Sequence, residues 1–181
     1  MAQWTIDPAH SEIKFKVKHL VISTVTGQFR QFSGSVFSET PDFSDARIQF
    51  EADIDSISTN NEQRDGHLKS PDFFDAAGHP KLSFVSASIT RTGDGTYALA
   101  GDMTIRGIKR RITLDVAYNG TVKGFDGEVA GFEISGRLNR QDYGLRWNAM
   151  TEAGGVVVSD EVRLDIAVEL KKVAVEIPVA A

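Results

Sequence analysis

Hydrophobic and polar residues alternate over long stretches of the chain, and this pattern predicts β-strands. Across residues 12–19 (EIKFKVKH), apolar side chains and His19 occupy one face of a strand, while Glu12 and three lysines occupy the other. The same alternation predicts strands over residues 46–54, 81–89, 97–105, 112–118, 128–138 and 162–170. Residues 25–37 also alternate, but the phase slips, and a β-bulge near Arg30 and Gln31 would restore the phase and bend the strand.

Turn signals separate these strands. Gly93-Asp94-Gly95 and Asn119-Gly120 each predict a hairpin, the second because a type I′ turn needs positive φ at both central residues. The chain then has about eight long antiparallel strands in up-and-down order. A sheet of this size with one apolar face must close or fold in two, and a closed eight-stranded barrel leaves room for one small ligand. We therefore predict an all-β fold, an eight-stranded antiparallel up-and-down barrel with a short helical insert.

The helical insert is predicted within residues 59–75 (TNNEQRDGHLKSPDFFD), which do not alternate as a strand would. Thr59 and Glu62 have the spacing of a capping box, which predicts a helix that begins at Asn60. Pro71 ends this helix, because the residue before a proline is pushed out of the helical region. So short a helix buries little surface by itself and needs a sheet or a barrel mouth to rest on.

Composition and length indicate one globular domain. The chain has 181 residues, of which 41% are hydrophobic and 25% charged. We place the domain at residues 3–172 and expect residues 173–181, which alternate weakly and contain a proline, to fray. The absence of cysteine excludes a disulfide framework and thiolate chemistry.

Charge and segment lengths limit the partners and the location. A net charge of -5 without a basic stripe argues against nucleic acid, and no apolar run has the length of a transmembrane segment. The first ten residues, MAQWTIDPAH, lack the basic and apolar regions of a secretory signal. We therefore expect a cytoplasmic protein, with a periplasmic location as the alternative if a leader was removed.

Apolar side chains on the inward faces are the candidate ligand contacts, although a filled core uses the same residue types. These candidates, with one histidine among them, are Phe15, Val17, His19, Phe29, Phe50, Ile54, Leu68, Phe73, Phe74, Phe84, Met103, Ile105, Ile134 and Trp147.

Few polar residues are candidates for contact with a ligand head group, for metal binding or for catalysis. His19 ends an inward row and is either a rim histidine with a backbone partner or a contact for a ligand head group. Arg64 and Arg146 are further head-group candidates, because arginine pairs well with phosphate. The alternatives are two structural networks, one of Arg64 with Asp65 or Asp72 and the other of Arg146 with Arg140 and Asp142. No His-x-x-x-His pair supports a metal site and no Gly-x-Ser-x-Gly elbow supports a catalytic one.

Several separated runs resemble the YceI-like, polyisoprenoid-binding family. The runs are WTIDPAHS (4–11), GQF (27–29), SISTNNEQRDGHLKSPDFFD (56–75), GDMTIRGIKRRITL (101–114) and RQDYG (140–144). The resemblance covers roughly residues 3–170 and rests on the order and spacing of these runs. It implies a lipocalin-like barrel, capped at one end by the helical insert, that holds a long isoprenoid or another amphiphile.

The main functional hypothesis is therefore a non-catalytic binding or carrier protein, for transport or storage of a polyprenyl, quinone-like or fatty amphiphile, without a cofactor. The alternatives are an enzyme that acts on a small lipophilic substrate and a filled structural barrel that works through its surface. Outer apolar residues such as Val85 and Ala87, together with the resemblance, also suggest a homodimer.

Overall fold

A computed structural model of the protein describes residues 1–149, 155 and 157–174. These residues form mainly β-structure, with one α-helix, α1, over Glu62–Lys69 and three short 3-10 turns. The β segments are β1 (Ala2–Ile6), β2 (Glu12–His19), β3 (Ser23–Phe29), β4 (Phe32–Ser38), β5 (Arg47–Asp53), β6 (Ile57–Ser58), β7 (Lys81–Gly93), β8 (Thr96–Ile105), β9 (Ile108–Gly124), β10 (Gly127–Asn139) and β11 (Glu161–Lys172).

These segments combine into a closed antiparallel barrel of eight strands. Three strands are bent, and each consists of two successive segments: β1 with β2, β3 with β4, and β5 with β6. Each strand pairs with the next along the chain, and β11 pairs with both β1 and β2 to close the ring. The predicted fold class is confirmed.

The bend between β3 and β4 lies at the predicted bulge. Arg30 and Gln31 separate the two segments, and their backbone bonds go to the bend in the neighbouring strand. Arg30 N–H donates to Ser56 O at 3.2 Å, and Asp53 N–H donates to Gln31 O at 2.9 Å. The two neighbouring strands therefore bend together, which keeps their apolar faces inward on both sides of the bend.

The hairpin predicted at Asn119-Gly120 is wrong. Strand β9 continues through both residues to Gly124 and turns into β10 only at 125–126. Tyr118 pairs with Phe132 and Gly120 pairs with Gly131, which leaves Asn119 as the extra residue of a β-bulge. Gly120 has a φ of 119°, so the positive φ that suggested a turn serves the bulge instead.

Helix α1 begins at Glu62, later than predicted, because Asn61 is its N-cap. The Asn61 side chain accepts from Arg64 N–H at 3.0 Å. Thr59 is buried, and its N–H and hydroxyl donate to Asp65 Oδ1 at 2.8 and 2.6 Å. The Thr59 hydroxyl, which was predicted to cap the helix, therefore bonds to Asp65 instead. The helix ends before Ser70-Pro71, as predicted.

The loop between β4 and β5 closes one end of the barrel, and we call it the plug (residues 39–46). Phe43 of the plug is 2% exposed, and its ring lies 5.1 Å from Trp4 and 5.0 Å from Phe132. The Asp45 carboxylate holds the plug by accepting from Ser38 Oγ at 2.5 Å and Glu39 N–H at 2.9 Å. This end of the barrel is packed with aromatic rings.

The C-terminal residues continue along β1 for a short distance past the barrel. Val173 N–H donates to Gln3 O at 2.8 Å. The predicted frayed tail, residues 173–181, falls for the most part outside the described residues, which end at 174.

Candidate functional site

The barrel encloses a cavity of about 630 Å³, within the usual size range of ligand pockets. Its wall is built mainly from aliphatic and aromatic side chains, because every strand turns its apolar face inward. Sequence alternation alone left a filled and a hollow barrel equally open. A cavity of this volume does not fit the filled structural barrel.

Nearly all of the predicted ligand contacts border this cavity. They are Phe15, Val17, His19, Phe29, Phe50, Leu68, Phe73, Phe74, Phe84, Met103, Ile105, Ile134 and Trp147. Ile54 does not border the cavity. It is 1% exposed and begins the turn Ile54–Ser56, where the strand alternation breaks and the side chain packs into the core instead.

Glycines on neighbouring strands make room for two of these aromatic rings. A Cβ atom built on Gly27 would lie 2.2 Å from the Phe15 ring, and one on Gly101 would lie 2.4 Å from the Phe84 ring. Each ring therefore covers the backbone of its neighbour. A larger residue at either glycine would force the ring to move.

The polar side chains that border the cavity are basic or neutral. Apart from Tyr97 and Tyr143, they are Lys14, Lys18, His19, Thr59, Asn61, Gln63, Arg64, His67 and Arg140, and no Asp or Glu among the described residues borders the cavity. All but Lys14 lie at the end of β2, in residues 59–75 or at the start of the β10–β11 connection. Most of the polar groups thus gather at the end of the barrel opposite the plug, whereas the Tyr97 hydroxyl lies at the plug and donates to Asp42 O at 2.5 Å.

The predicted head-group residues fall into different environments. His19 is exposed where β2 ends, and Arg64 borders the cavity. Arg64 Nε and Nη2 donate to Thr59 Oγ1 and Thr59 O, both at 2.7 Å, so its partner is Thr59 rather than Asp65 or Asp72. Arg146 is exposed and does not border the cavity, because the chain turns its side chain outward next to Trp147.

Residues 59–75 cover the polar end of the cavity, and we call them the cap. Phe73 is 5% exposed, and its ring lies 5.4 Å from Trp147. Phe74 is half-buried and meets the Phe29 ring edge-on at 6.1 Å. His67 packs against Trp147 at 4.6 Å and bonds to Asp72 at 2.8 Å. The cap therefore joins the β10–β11 connection through aromatic contacts.

Two arginines hold this end together: Arg106, which the sequence reasoning missed, and Arg140, which it placed in a network with Asp142 and Arg146. Arg106 Nη1 donates to Phe73 O at 3.2 Å and Gly144 O at 3.0 Å, which ties the cap to the connection after β10. Arg140 is 4% exposed and donates to four backbone carbonyls: Leu145, Trp147, Val158 and Ser159. Burial lowers the pKa of Arg140, and the charge of Asp160 opposes this effect.

Tyr143 is a further cavity residue that the sequence analysis did not select. It is 1% exposed, and its hydroxyl makes no hydrogen bond with the described residues. Burial raises the pKa of Tyr143 to about 12, and the charge of Asp142 adds to this effect. The residue lies in the short turn Arg140–Tyr143, outside any alternating pattern that could have revealed its burial.

One cluster of possible metal ligands lies away from the cavity, at the kink between β1 and β2. Asp7, His10 and Glu169 bring three ligand atoms within 4.8 Å of one another. His10 Nδ1 lies 2.7 Å from Asp7 Oδ2, and this hydrogen bond lowers the pKa of Asp7 and raises that of His10. Lys171 Nζ lies 3.5 Å from the same carboxylate oxygen, so the Asp7 charge already has two basic neighbours.

No helix among the described residues is both long and apolar enough to cross a membrane.

Comparison with known proteins supports the resemblance found in the sequence. The model of the YceI-like domain family matches residues 4–170. A UPF0312 protein of Staphylococcus aureus (strain MSSA476) is 39% identical over 171 residues, which is 93% of this chain and 97% of that protein.

Solved structures show the same barrel. A Campylobacter jejuni YCEI protein is 30% identical with a TM-score of 0.73, over 87% of this chain and 90% of that one. Burkholderia cenocepacia BcnA has a TM-score of 0.77 at 21% identity, over 91% and 98% of the two chains. A polyisoprenoid binding domain from Saccharophagus degradans has a TM-score of 0.67 at 16% identity, over 93% and 98%. These last two likenesses concern the fold, and the family match shows that the chain belongs to the YceI-like family.

Proposed function

We propose that the protein is a non-catalytic carrier that holds a long apolar chain, an isoprenoid or a fatty acyl chain, inside the barrel. The observation that carries this proposal is the cavity of about 630 Å³, whose wall is mainly apolar and has most of its polar side chains near the cap. The barrel likeness to a polyisoprenoid binding domain supports the same class of ligand. Transport or storage of the amphiphile is the role that follows.

Affinity in such a site comes mainly from the length of the buried chain. Each methylene that leaves water stabilises the complex by about 0.8 kcal/mol. A series of saturated fatty acids that compete with a fluorescent long-chain probe should therefore bind more tightly with each added methylene, until the cavity is full. An affinity that does not depend on chain length would refute the proposal.

An anionic or strongly polar head group fits the charges at the cap end. Lys18, His19 and Arg64 border the cavity there, and no carboxylate among the described residues borders it to repel an anion. Lys18 Nζ donates to Thr24 Oγ1 at 2.9 Å and remains exposed, so it has further donors to offer. The head group would then remain at the entrance while the chain fills the barrel.

Two lysines of the same strand make a matched test of the head-group site. Lys18→Gln should weaken binding of a fatty acid by about tenfold, because a charge-assisted contact is lost. The corresponding fatty alcohol should lose much less. Lys16→Gln is the control, since Lys16 pairs with Asp165 at 3.3 Å and does not border the cavity. Equal losses for the acid and the alcohol would exclude Lys18 as a head-group contact.

The character of the cavity wall favours a carrier over an enzyme. Among the described residues, no Ser, Asp or Glu borders the cavity. The Thr59 hydroxyl is held by Asp65 at 2.6 Å and by Arg64 at 2.7 Å, so it is not free to act as a nucleophile. Covalent catalysis needs a nucleophile and a base within reach of each other. Of the described wall residues, Lys18 and Tyr143 keep a group that could act as a nucleophile, but Lys18 Nζ bonds to Thr24 Oγ1 and no base is hydrogen-bonded to the Tyr143 hydroxyl.

A further inference from the structure

Three successive apolar side chains project into solvent where β2 turns into β3, and we call them the apolar tip. Leu20, Val21 and Ile22 are 38%, 76% and 87% exposed. Turns at hairpin ends are usually built from Gly, Asn, Asp or Ser. A compact run of large apolar residues at this position indicates contact with an apolar partner.

The backbone of the apolar tip disfavours these residues. Leu20 has a φ of 52° and Val21 a φ of 67°. Positive φ is unusual for any residue with a side chain, and for a β-branched residue it is a genuine outlier. Asn-Gly would adopt these angles with much less strain. Strain retained at an exposed turn points to a function of the side chains rather than to folding.

Positive charge lies beside the apolar tip. Residues 13–38, which include the tip, carry Lys14, Lys16, Lys18 and Arg30 but no Asp or Glu, although the whole chain has a net charge of -5. Lys18 pairs with Thr24 next to the tip, whereas Lys14 and Arg30 lie at the other end of the β2–β3 pair. Lys14 and Lys16 are partly neutralised by Glu12 at 2.9 Å and Asp165 at 3.3 Å. Lys18 has no ion pair with the described residues, and it is the lysine nearest to the tip. An apolar tip with basic neighbours fits a surface that is apolar inside and anionic outside.

The apolar tip is also continuous with the entrance of the cavity. Lys18, His19 and Val25, which flank the tip in sequence, border the cavity. Leu20 N–H donates to Val157 O at 2.9 Å, and Val157 borders the cavity as well. A chain that leaves the barrel at this end therefore emerges next to the exposed Leu20, Val21 and Ile22 side chains.

We propose that the apolar tip inserts into the surface of an anionic lipid bilayer and places the cavity entrance against it. Lys18 and its neighbours contact the lipid phosphates, while the three apolar side chains enter the acyl boundary. The purpose of this contact, exchange of an apolar chain between bilayer and barrel, rests on the proposed carrier function. The membrane contact itself depends only on the tip.

The matched variant removes the apolar side chains and relieves the backbone strain at the same time. Leu20→Asn with Val21→Gly supplies the favoured turn residues, and Ile22→Ser completes the change, so the triple variant should fold at least as stably as the wild type. Phe125→Ser is the control, because Phe125 is an exposed apolar residue in the turn at the opposite end, beside Asp126 and Glu128.

The measurement is co-sedimentation with vesicles of phosphatidylglycerol and of phosphatidylcholine. The wild type and Phe125→Ser should bind the anionic vesicles, and more weakly the neutral ones. The triple variant should lose about tenfold or more in binding to the anionic vesicles, because up to three apolar side chains no longer leave water. Binding of a soluble fluorescent fatty acid should remain unchanged in the triple variant, which separates this proposal from the carrier function.

Two results would overturn the membrane proposal. One is a wild type that ignores both kinds of vesicle, and the other is a folded triple variant that binds them as the wild type does. If the triple variant binds vesicles as the wild type does but has a smaller oligomeric mass in light scattering, the tip is a self-association surface instead. If the wild type binds vesicles but does not bind the fluorescent fatty acid, the carrier function is contradicted and the membrane contact is not.

Discussion

Buried hydroxyl groups differ in how well they are satisfied in this barrel, and two tyrosines make the contrast. Tyr97 is 2% exposed, and its hydroxyl donates to Asp42 O at 2.5 Å. The hydroxyl of Tyr143 is equally buried but makes no hydrogen bond with the described residues. Leaving a buried polar group unpaired costs stability, whereas a satisfied one contributes to it. Because Tyr143 borders the cavity, its hydroxyl can form a hydrogen bond with a polar group of the ligand.

The tyrosine pair yields a prediction about stability. Tyr143→Phe should leave the free energy of unfolding unchanged or raise it, because it removes an unpaired hydroxyl. Tyr97→Phe should lower it by about 1 kcal/mol, because Asp42 O loses its donor. Urea unfolding of the two variants beside the wild type gives both values. A clear loss of stability in Tyr143→Phe would mean that its hydroxyl has a partner in solution.

Two elements close the barrel, and they do so by different means. The plug is held by polar bonds around Asp45 and fills its end with the Phe43 ring. The cap is held by aromatic contacts and by Arg106, and polar side chains of the cavity wall lie beneath it. The polar bonds of the plug run within residues 38–45, while the contacts between the cap and the rest of the barrel include aromatic side chains, which can separate by rotating about their side-chain bonds. The cap is therefore the gate we expect for the ligand.

Shortening a cap side chain should speed up ligand release. Phe74→Ala removes the contact with Phe29 and should cost about 2 kcal/mol of stability, less than for a fully buried phenylalanine because Phe74 is half-buried. Release of a fluorescent fatty probe should become about tenfold faster, since part of the apolar seal is lost. Phe125→Ala, in the exposed turn between β9 and β10, is the control. Equal release rates in wild type and Phe74→Ala would place the exit elsewhere.

The plug should weaken in acid because of Asp45. Burial raises the pKa of Asp45, but hydrogen bonds from Ser38, Glu39 and Thr40 outweigh burial and hold it well below its usual value. A carboxyl group with a depressed pKa in the folded state contributes stability above its unfolded pKa, about 3.9. That contribution is lost as the pH falls from there through the folded pKa.

The pH dependence can be isolated with a pair of variants. Asp45→Asn should lower the melting temperature at pH 7 and reduce the decline of stability between about pH 4 and pH 2. Asp94→Asn is the control, because Asp94 is fully exposed at the same end of the barrel and, among the described residues, pairs with the exposed Arg91 alone. The measurement is the melting temperature of the wild type and both variants across this pH range. A variant that declines with pH as steeply as the wild type would assign the dependence to other carboxyl groups.

At the scale of the whole molecule, the closed barrel could be predicted because alternation acts along every strand. Each predicted strand exists, and the slip at Arg30 and Gln31 marks a real bend. The bulge at Asn119 could not be told from a turn, because both need positive φ at Gly120. The cavity could not be told from a filled core, since the same apolar residues build either one. Tyr143, Arg106 and Arg140 lie in turns, where their partners depend on tertiary contacts that no local pattern encodes.

The cytoplasmic location and the homodimer stay predictions. Val85, one of the residues that suggested the dimer, is 50% exposed on β7. Light scattering over a wide concentration range would decide the oligomeric state.

The central claim is that the barrel carries one long apolar chain. Native mass spectrometry of protein purified gently, without added lipid, from several expression hosts tests this claim most directly. We predict a mass that exceeds that of the polypeptide by one bound amphiphile and returns to that of the polypeptide after organic extraction, because water is a poor occupant of an apolar cavity. Protein that carries no stoichiometric lipid from any host, while folded and with its cavity intact, would contradict the account.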